Sequence, residues 1–139
     1  MNKTTYVSSA YPYRTSANSG VGVSWGTVTN AKVEDGLFAT AALTNVNTTS
    51  RNIRYSDMSA PLDPIGNSID FPRNAIPSGI MVEIKRKEAG GSVKDLTVQL
   101  ADNSNVLVGT NKATATEWDT TNNWVTYGGQ GDLWGQTGG

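Results

Sequence analysis

The chain of 139 residues has no cysteine and no histidine. Without thiolate or imidazole there is no disulfide framework and no zinc site built from those ligands. Ser-His and Cys-His catalysis are excluded as well. Carboxylates, lysine, tyrosine and hydroxyls remain as possible catalysts. No apolar run approaches the length of a membrane span. Met1 to Tyr6 lack the apolar stretch of a signal peptide. Charged residues make up only 17%, and the formal net charge is −1. The densest basic run, Lys85-Arg86-Lys87, is divided between two faces by strand alternation. Nucleic-acid binding needs clustered Lys and Arg, so neither nucleic acid nor membrane is an expected partner.

The polarity that is present is neutral: Ser, Thr, Asn and Gly. Thr favours strands, while Asn and Gly favour turns. In the stretch over 71–111, Ile80, Val82 and Ile84 alternate with Glu83, Lys85 and Lys87, the period of a strand half-buried on one face. Glu88-Ala-Gly-Gly-Ser92 interrupts it. Leu96, Val98 and Leu100 then alternate with Asp95, Thr97 and Gln99. The spacing predicts an antiparallel hairpin with one wet face. Further strands are expected at Leu37–Leu43, Thr114–Trp118 and Trp124–Tyr127, with a weaker alternation over Arg51–Asp57 and a short strand near Ile69–Phe71. Turns are expected at Glu34-Asp35-Gly36, Ile76-Pro-Ser-Gly79, Asp102-Asn-Ser-Asn105 and Asp119-Thr-Thr-Asn-Asn123. Many short strands at roughly ten-residue spacing predict an all-β domain, a two-sheet antiparallel sandwich of jelly-roll type. Its expected span is 21–139. Residues 1–20 read as a polar arm carrying Tyr6, Tyr11 and Tyr13, which either frays or packs on a neighbouring subunit.

Each candidate for chemistry has a plain structural counterpart. After Gly20-Val-Gly22 the third glycine is misplaced for a dinucleotide loop and no helix pattern follows, so the cluster reads as a turn or bulge. Asp102–Asn105 and Asp119–Asn123 offer oxygen ligands that calcium accepts, yet Asx-rich turns explain them equally. Carboxylate pairs for glycoside hydrolysis would come from Glu34, Asp35, Glu83, Asp95, Glu117 and Asp119. Turns and wet strand faces account for all of them. Asn2-Lys-Thr4 and Asn47-Thr-Thr49 match the glycosylation pattern in a chain rich in Asn and Thr. Trp25, Trp118, Trp124 and Trp134 serve either as packing or as sugar-stacking platforms. No catalytic, cofactor or metal residues are assigned.

The order of features has a counterpart elsewhere. Trp25, Asn30-Ala31 and Glu34-Asp-Gly-Leu-Phe-Ala-Thr40 are followed by Ile76-Pro-Ser-Gly-Ile80 and Val82-Glu-Ile-Lys-Arg86. Val93-Lys-Asp-Leu96, Val108-Gly-Thr-Asn-Lys-Ala113, Trp118 and Tyr127-Gly-Gly-Gln-Gly-Asp-Leu-Trp-Gly135 complete it. Over residues 25–135 this resembles a jelly-roll-like β-sandwich module of tailed-phage virion proteins, with the Tyr-Gly-Gly…Asp-Leu-Trp-Gly ending its most specific part. The resemblance implies a non-enzymatic structural protein of a virion, in capsid decoration, fibre or tail. Its partners would be copies of itself and other virion proteins. Tyr6, Tyr11, Tyr13 and Trp134 are the expected interface aromatics. The module usually continues past Leu-Trp-Gly, so the sandwich over 21–139 is expected either to be cut short or to receive a strand from a neighbour. The alternative reading is a carbohydrate- or host-receptor-binding module that uses Trp118, Trp124 and Tyr127 on cell-surface glycan.

Overall fold

The computed structural model describes residues 12–19, 21–32, 35–45, 48–58 and 76–137. The chain divides into two compact units, Met1–Arg73 and Asn74–Gly139. The described residues are strand-rich, with one short 3-10 turn over Val28–Lys32 and no α-helix. Six strands make three two-stranded antiparallel sheets: β1 (Pro12–Ser19) with β2 (Asn52–Met58), β3 (Ile80–Arg86) with β6 (Asn123–Gly129), and β4 (Leu100–Ala101) with β5 (Leu107–Val108).

In the first unit the weak alternation at 51–57 does form a strand, and its partner is the Pro12–Ser19 segment of the expected arm. Trp25 is anchored by its indole N–H on the Arg51 carbonyl at 2.6 Å. The Arg51 Nε donates to the Gly22 carbonyl at 3.2 Å. These bonds tie the start of the unit to the approach of β2. The expected strand at Leu37–Leu43 does not form. Thr40 bridges Gly26 alone, and the Leu37 side chain is exposed. Asp35 turns the chain as expected, its Oδ1 accepting the Leu37 amide at 3.0 Å. Ile69–Phe71 lies outside the described residues.

In the second unit the expected hairpin of 80–87 with 93–100 is replaced by a longer-range pairing. β3 pairs with β6, Ile80 opposite Gly129 and Arg86 opposite Asn123. The strand at Trp124–Tyr127 is therefore present, but its partner lies far back in the chain, with Ile84 opposite Val125, 41 positions away. After β3, Glu88 donates its amide to the Asp119 carbonyl at 2.8 Å and accepts the Gly90 amide on Oε2 at 2.6 Å. The glycines thus bend the chain away from β3 instead of returning it. Residues 93–99 run beside 109–118: Trp118 donates to the Val93 carbonyl, Lys112 to the Val98 carbonyl, and the Asn111 side chain bridges Val98 and Leu96. Leu96 is 67% exposed and Asp95 points inward, the reverse of the expected faces. At Thr114–Trp118 no strand forms, and Glu117 makes an isolated bridge to Lys94. The β4–β5 hairpin turns at Asp102–Asn105 as its composition predicts. The Asp102 Oδ1 accepts the Ser104 and Val106 amides at 2.8 and 3.0 Å.

Trp134 closes this unit. It is 1% exposed, and its indole N–H donates to the Ile80 carbonyl at 2.9 Å, which satisfies the polar edge that burial would otherwise orphan. Its own carbonyl accepts the Thr110 amide at 2.6 Å. Gly128 and Gly109 both adopt positive φ, and a Cβ on either would overlap Trp134. The Tyr-Gly-Gly…Asp-Leu-Trp-Gly pattern is therefore a fitted plug: Gly128 leaves the space that the indole fills, and Gly109 the space for the Trp134 carbonyl. Burying the ring contributes about 2–3 kcal/mol by area.

Candidate functional site

The inward face of the β3–β6 pair carries Ile80, Val82, Ile84 and Arg86 opposite Gly129, Tyr127, Val125 and Asn123. Arg86 falls on the buried side because it shares the parity of the three aliphatic residues. A buried guanidinium needs a counter-charge and hydrogen bonds, and Asp95 supplies both. Their side chains are 7% and 5% exposed. The Arg86 Nη1 donates to the Asp95 Oδ1 and to the Tyr127 hydroxyl. The Tyr127 hydroxyl donates to the Asp95 Oδ2 at 2.7 Å, and the Trp118 Nε1 donates to Oδ1 at 2.9 Å. The guanidinium carbon lies 4.9 Å from the Trp118 ring centroid and 5.7 Å from that of Tyr127, within cation–π range of both.

Burial alone would raise the Asp95 pKa. Hydrogen bonds from Arg86, Tyr127 and Trp118, with the Arg86 charge, outweigh burial and hold the carboxyl below its ordinary value. Tyr127 is pushed up, first by burial and then by its bond to Asp95. Asp95 is thus an ionised acceptor surrounded by donors, and Tyr127 a phenol that keeps its proton. Neither is arranged to exchange a proton with a substrate. The cluster is a clasp that joins β3, β6, the 93–99 segment and Trp118.

A half-open cleft of about 210 Å³ lies beside the clasp, with Arg86, Thr114, Thr116, Glu117, Asp119 and Asn123 on its polar walls and Val125 on its apolar one. Glu117 lies 4.0 Å from the Lys94 ammonium, and Asp119 accepts the Asn123 amide at 2.7 Å. Hydroxyls, carboxylates and amides in this mixture suit a small polyhydroxylated ligand. Among the described residues, no three acidic side chains come together as metal ligands. The Asp102 carboxylate is occupied by backbone amides.

Of the expected aromatics, Tyr6 and Tyr11 lie outside the described residues, as does the Tyr13 side chain. Asn2, Glu34 and Asn47 lie outside them as well. Trp134, expected at an interface, is buried in its own unit, which leaves no ring face for a partner. Trp118 and Tyr127, the sugar-stacking candidates, are held in the clasp. Trp124 is 48% exposed on the outward face of the sheet, with the Lys85 ammonium 5.7 Å from its ring. The structure thus brings Trp118 and Tyr127 together and sets Trp124 apart. Arg86 and its role were missed by composition and motif. The signal that finds it is parity: a lone arginine in register with an aliphatic strand face requires a carboxylate.

No family model matches the chain, and neither a curated protein nor a solved structure matches it.

Proposed function

We propose that the chain is a non-enzymatic structural component that works by binding other subunits. Its setting is the virion of a tailed phage, in capsid decoration, fibre or tail, and its β-sandwich is of jelly-roll type completed in the assembly. The observation that carries the reading is the balance of burial. Among the described hydrophobic residues only Tyr127 and Trp134 are buried, while Val21, Leu37, Ile76, Met81, Leu96, Val106, Leu107 and Trp124 present large exposed surfaces. An isolated pair of strands is marginal in water, and each described sheet has two strands. Contacts with other subunits would cover that surface and extend those sheets. The order of motifs supplies the virion setting.

Light scattering of the native protein over a range of concentrations tests this. Assembly into dimers or larger particles is expected. A monomer at every concentration would overturn the reading. It would move the weight to the second one, a glycan-binding module in which the cleft beside Arg86 takes a sugar, with a glycan array as the next measurement.

A further inference from the structure

The β3–β6 pair has a defined inner and outer edge. Ile80 and Glu88, of the same parity, donate their amides to the Asp132 and Asp119 carbonyls, which lie on the two continuations of β6. In an antiparallel pair a residue's N–H and C=O point to the same side, and the next residue's to the other. The even residues of β3 therefore face β6, and their partners Asn123, Val125, Tyr127 and Gly129 complete that ladder. It follows that the N–H and C=O groups of Trp124 and Thr126 point away from β3. Both residues are exposed, and among the described residues no further strand pairs with β6.

Exposed edges are ordinarily blunted by lysine, proline or a very short strand. The β6 edge has none of these devices. It is seven residues long, Asn-Trp-Val-Thr-Tyr-Gly-Gly, without charge or proline. Two copies of such a strand do not repel one another. The flanking charges on the outward face, Glu83 and Lys85 of β3, are of opposite sign.

We infer that the outer edge of β6 is an isologous docking strand that pairs antiparallel with the β6 of a second copy of this chain. A two-fold axis at Val125 sets Trp124 of each copy opposite Thr126 of the other, an aromatic–Thr pair on the outward face. The product is a continuous four-stranded sheet in the order β3-β6-β6-β3. This rests on the assembly reading and names the surface that would carry it.

The test is sedimentation of the full-length chain as wild type, Thr126→Pro and Thr126→Lys, with circular dichroism as the check on folding. Thr126→Pro removes an amide that points away from β3, so the β3–β6 ladder keeps its bonds. Thr126→Lys keeps the backbone and adds the charge that protects natural edges. The expected result is a wild-type dimer or larger species whose dissociation constant rises roughly 30-fold in Thr126→Pro, the loss of about two net hydrogen bonds, and also rises in Thr126→Lys, where the added charges of the two copies face the shared edge. If Thr126→Pro fails to fold, Thr126→Lys decides. Wild-type assembly unchanged in a folded variant would overturn the β6 edge and leave the assembly reading standing. A monomeric wild type would overturn both.

Discussion

On the inward face of the β3–β6 pair, Arg86 and Tyr127 are buried, and the Arg86 Nη1, the Tyr127 hydroxyl and the Asp95 carboxylate form one connected network, while the Arg86 Nε is buried without a hydrogen-bond partner among the described residues. On the outward face, Met81 is 59% exposed and Lys85 lies over Trp124 with open ring surface beside it. The same two strands supply both faces, so the difference is not in backbone geometry. It lies in which residues share parity with Ile80, Val82 and Ile84. Buried, an arginine fixes the positions of four chain segments because each of its partners has one way to satisfy it. On the outward face, the half-buried Lys85 lies over a ring that stays 48% exposed. The comparison teaches that this sheet is anchored from one side and exposed on the other.

The sharpest way to break that comparison is to neutralise one carboxylate on each face. Asp95→Asn leaves the Arg86 charge buried without its counter-ion, and a cost of about 3 kcal/mol is expected in denaturant unfolding. Glu83→Gln, on the outward face, is expected within about 0.5 kcal/mol of wild type. Equal costs at the two positions would mean that the clasp does not anchor the unit.

Titration sharpens the same contrast. Asp95 has a folded pKa below its ordinary value, so its contribution is complete above the unfolded pKa of about 3.9 and is lost as pH falls through the lower folded value. Tyr127 has a folded pKa above its ordinary value of about 10, so its contribution is complete below that pH and is lost as pH rises toward the folded value. A stability plateau through neutral pH, falling at both ends, is expected from the pH dependence of the unfolding midpoint. In Asp95→Asn the acid limb is expected to flatten. An acid limb of undiminished slope in that variant would assign the effect to other carboxylates, with Asp132 the first to examine, since its bonds from Lys112 and Trp134 also hold its pKa down.

Several of these features were legible in the residues, and the reasons are local. Turn chemistry at Asp35 and Asp102 and the strand periods at 80–86 and 124–127 are encoded within a few positions, and they form. The pairing was not legible. Two alternating runs separated by Ala-Gly-Gly look like a hairpin, yet the glycines bend the chain outward and β6 takes the place beside β3. Leu96 and Asp95 exchanged their expected faces for the same reason: a hairpin with β3 would have fixed the face of 93–99, and without it the Arg86 charge decides. The plug was legible as pattern but not as mechanism. Tyr127-Gly-Gly…Trp134-Gly135 stood out in the sequence, and only the positive φ of Gly128 beneath the indole explains the spacing. Trp134 on these grounds belongs to the inside. An exposed aromatic and a buried one cannot be told apart by type alone.

The smallest expected effect is at Trp124, and it bears most directly on the outward face. Trp124→Ala removes a ring that is already 48% exposed and whose centroid lies 5.7 Å from the Lys85 ammonium, within cation–π range. Such a contact contributes about 0.5–1 kcal/mol at an exposed site, whereas truncating a buried tryptophan costs about 3–5 kcal/mol. Unfolding measured at a protein concentration below the onset of association is expected to show the smaller figure. At concentrations where copies associate, the same variant is expected to lose additional stability, because the ring then lies between subunits and folding is linked to binding. A large loss at low concentration would place Trp124 within the core of a single chain. The outward face would then be covered in the monomer, and the asymmetry between the two faces of the sheet would disappear.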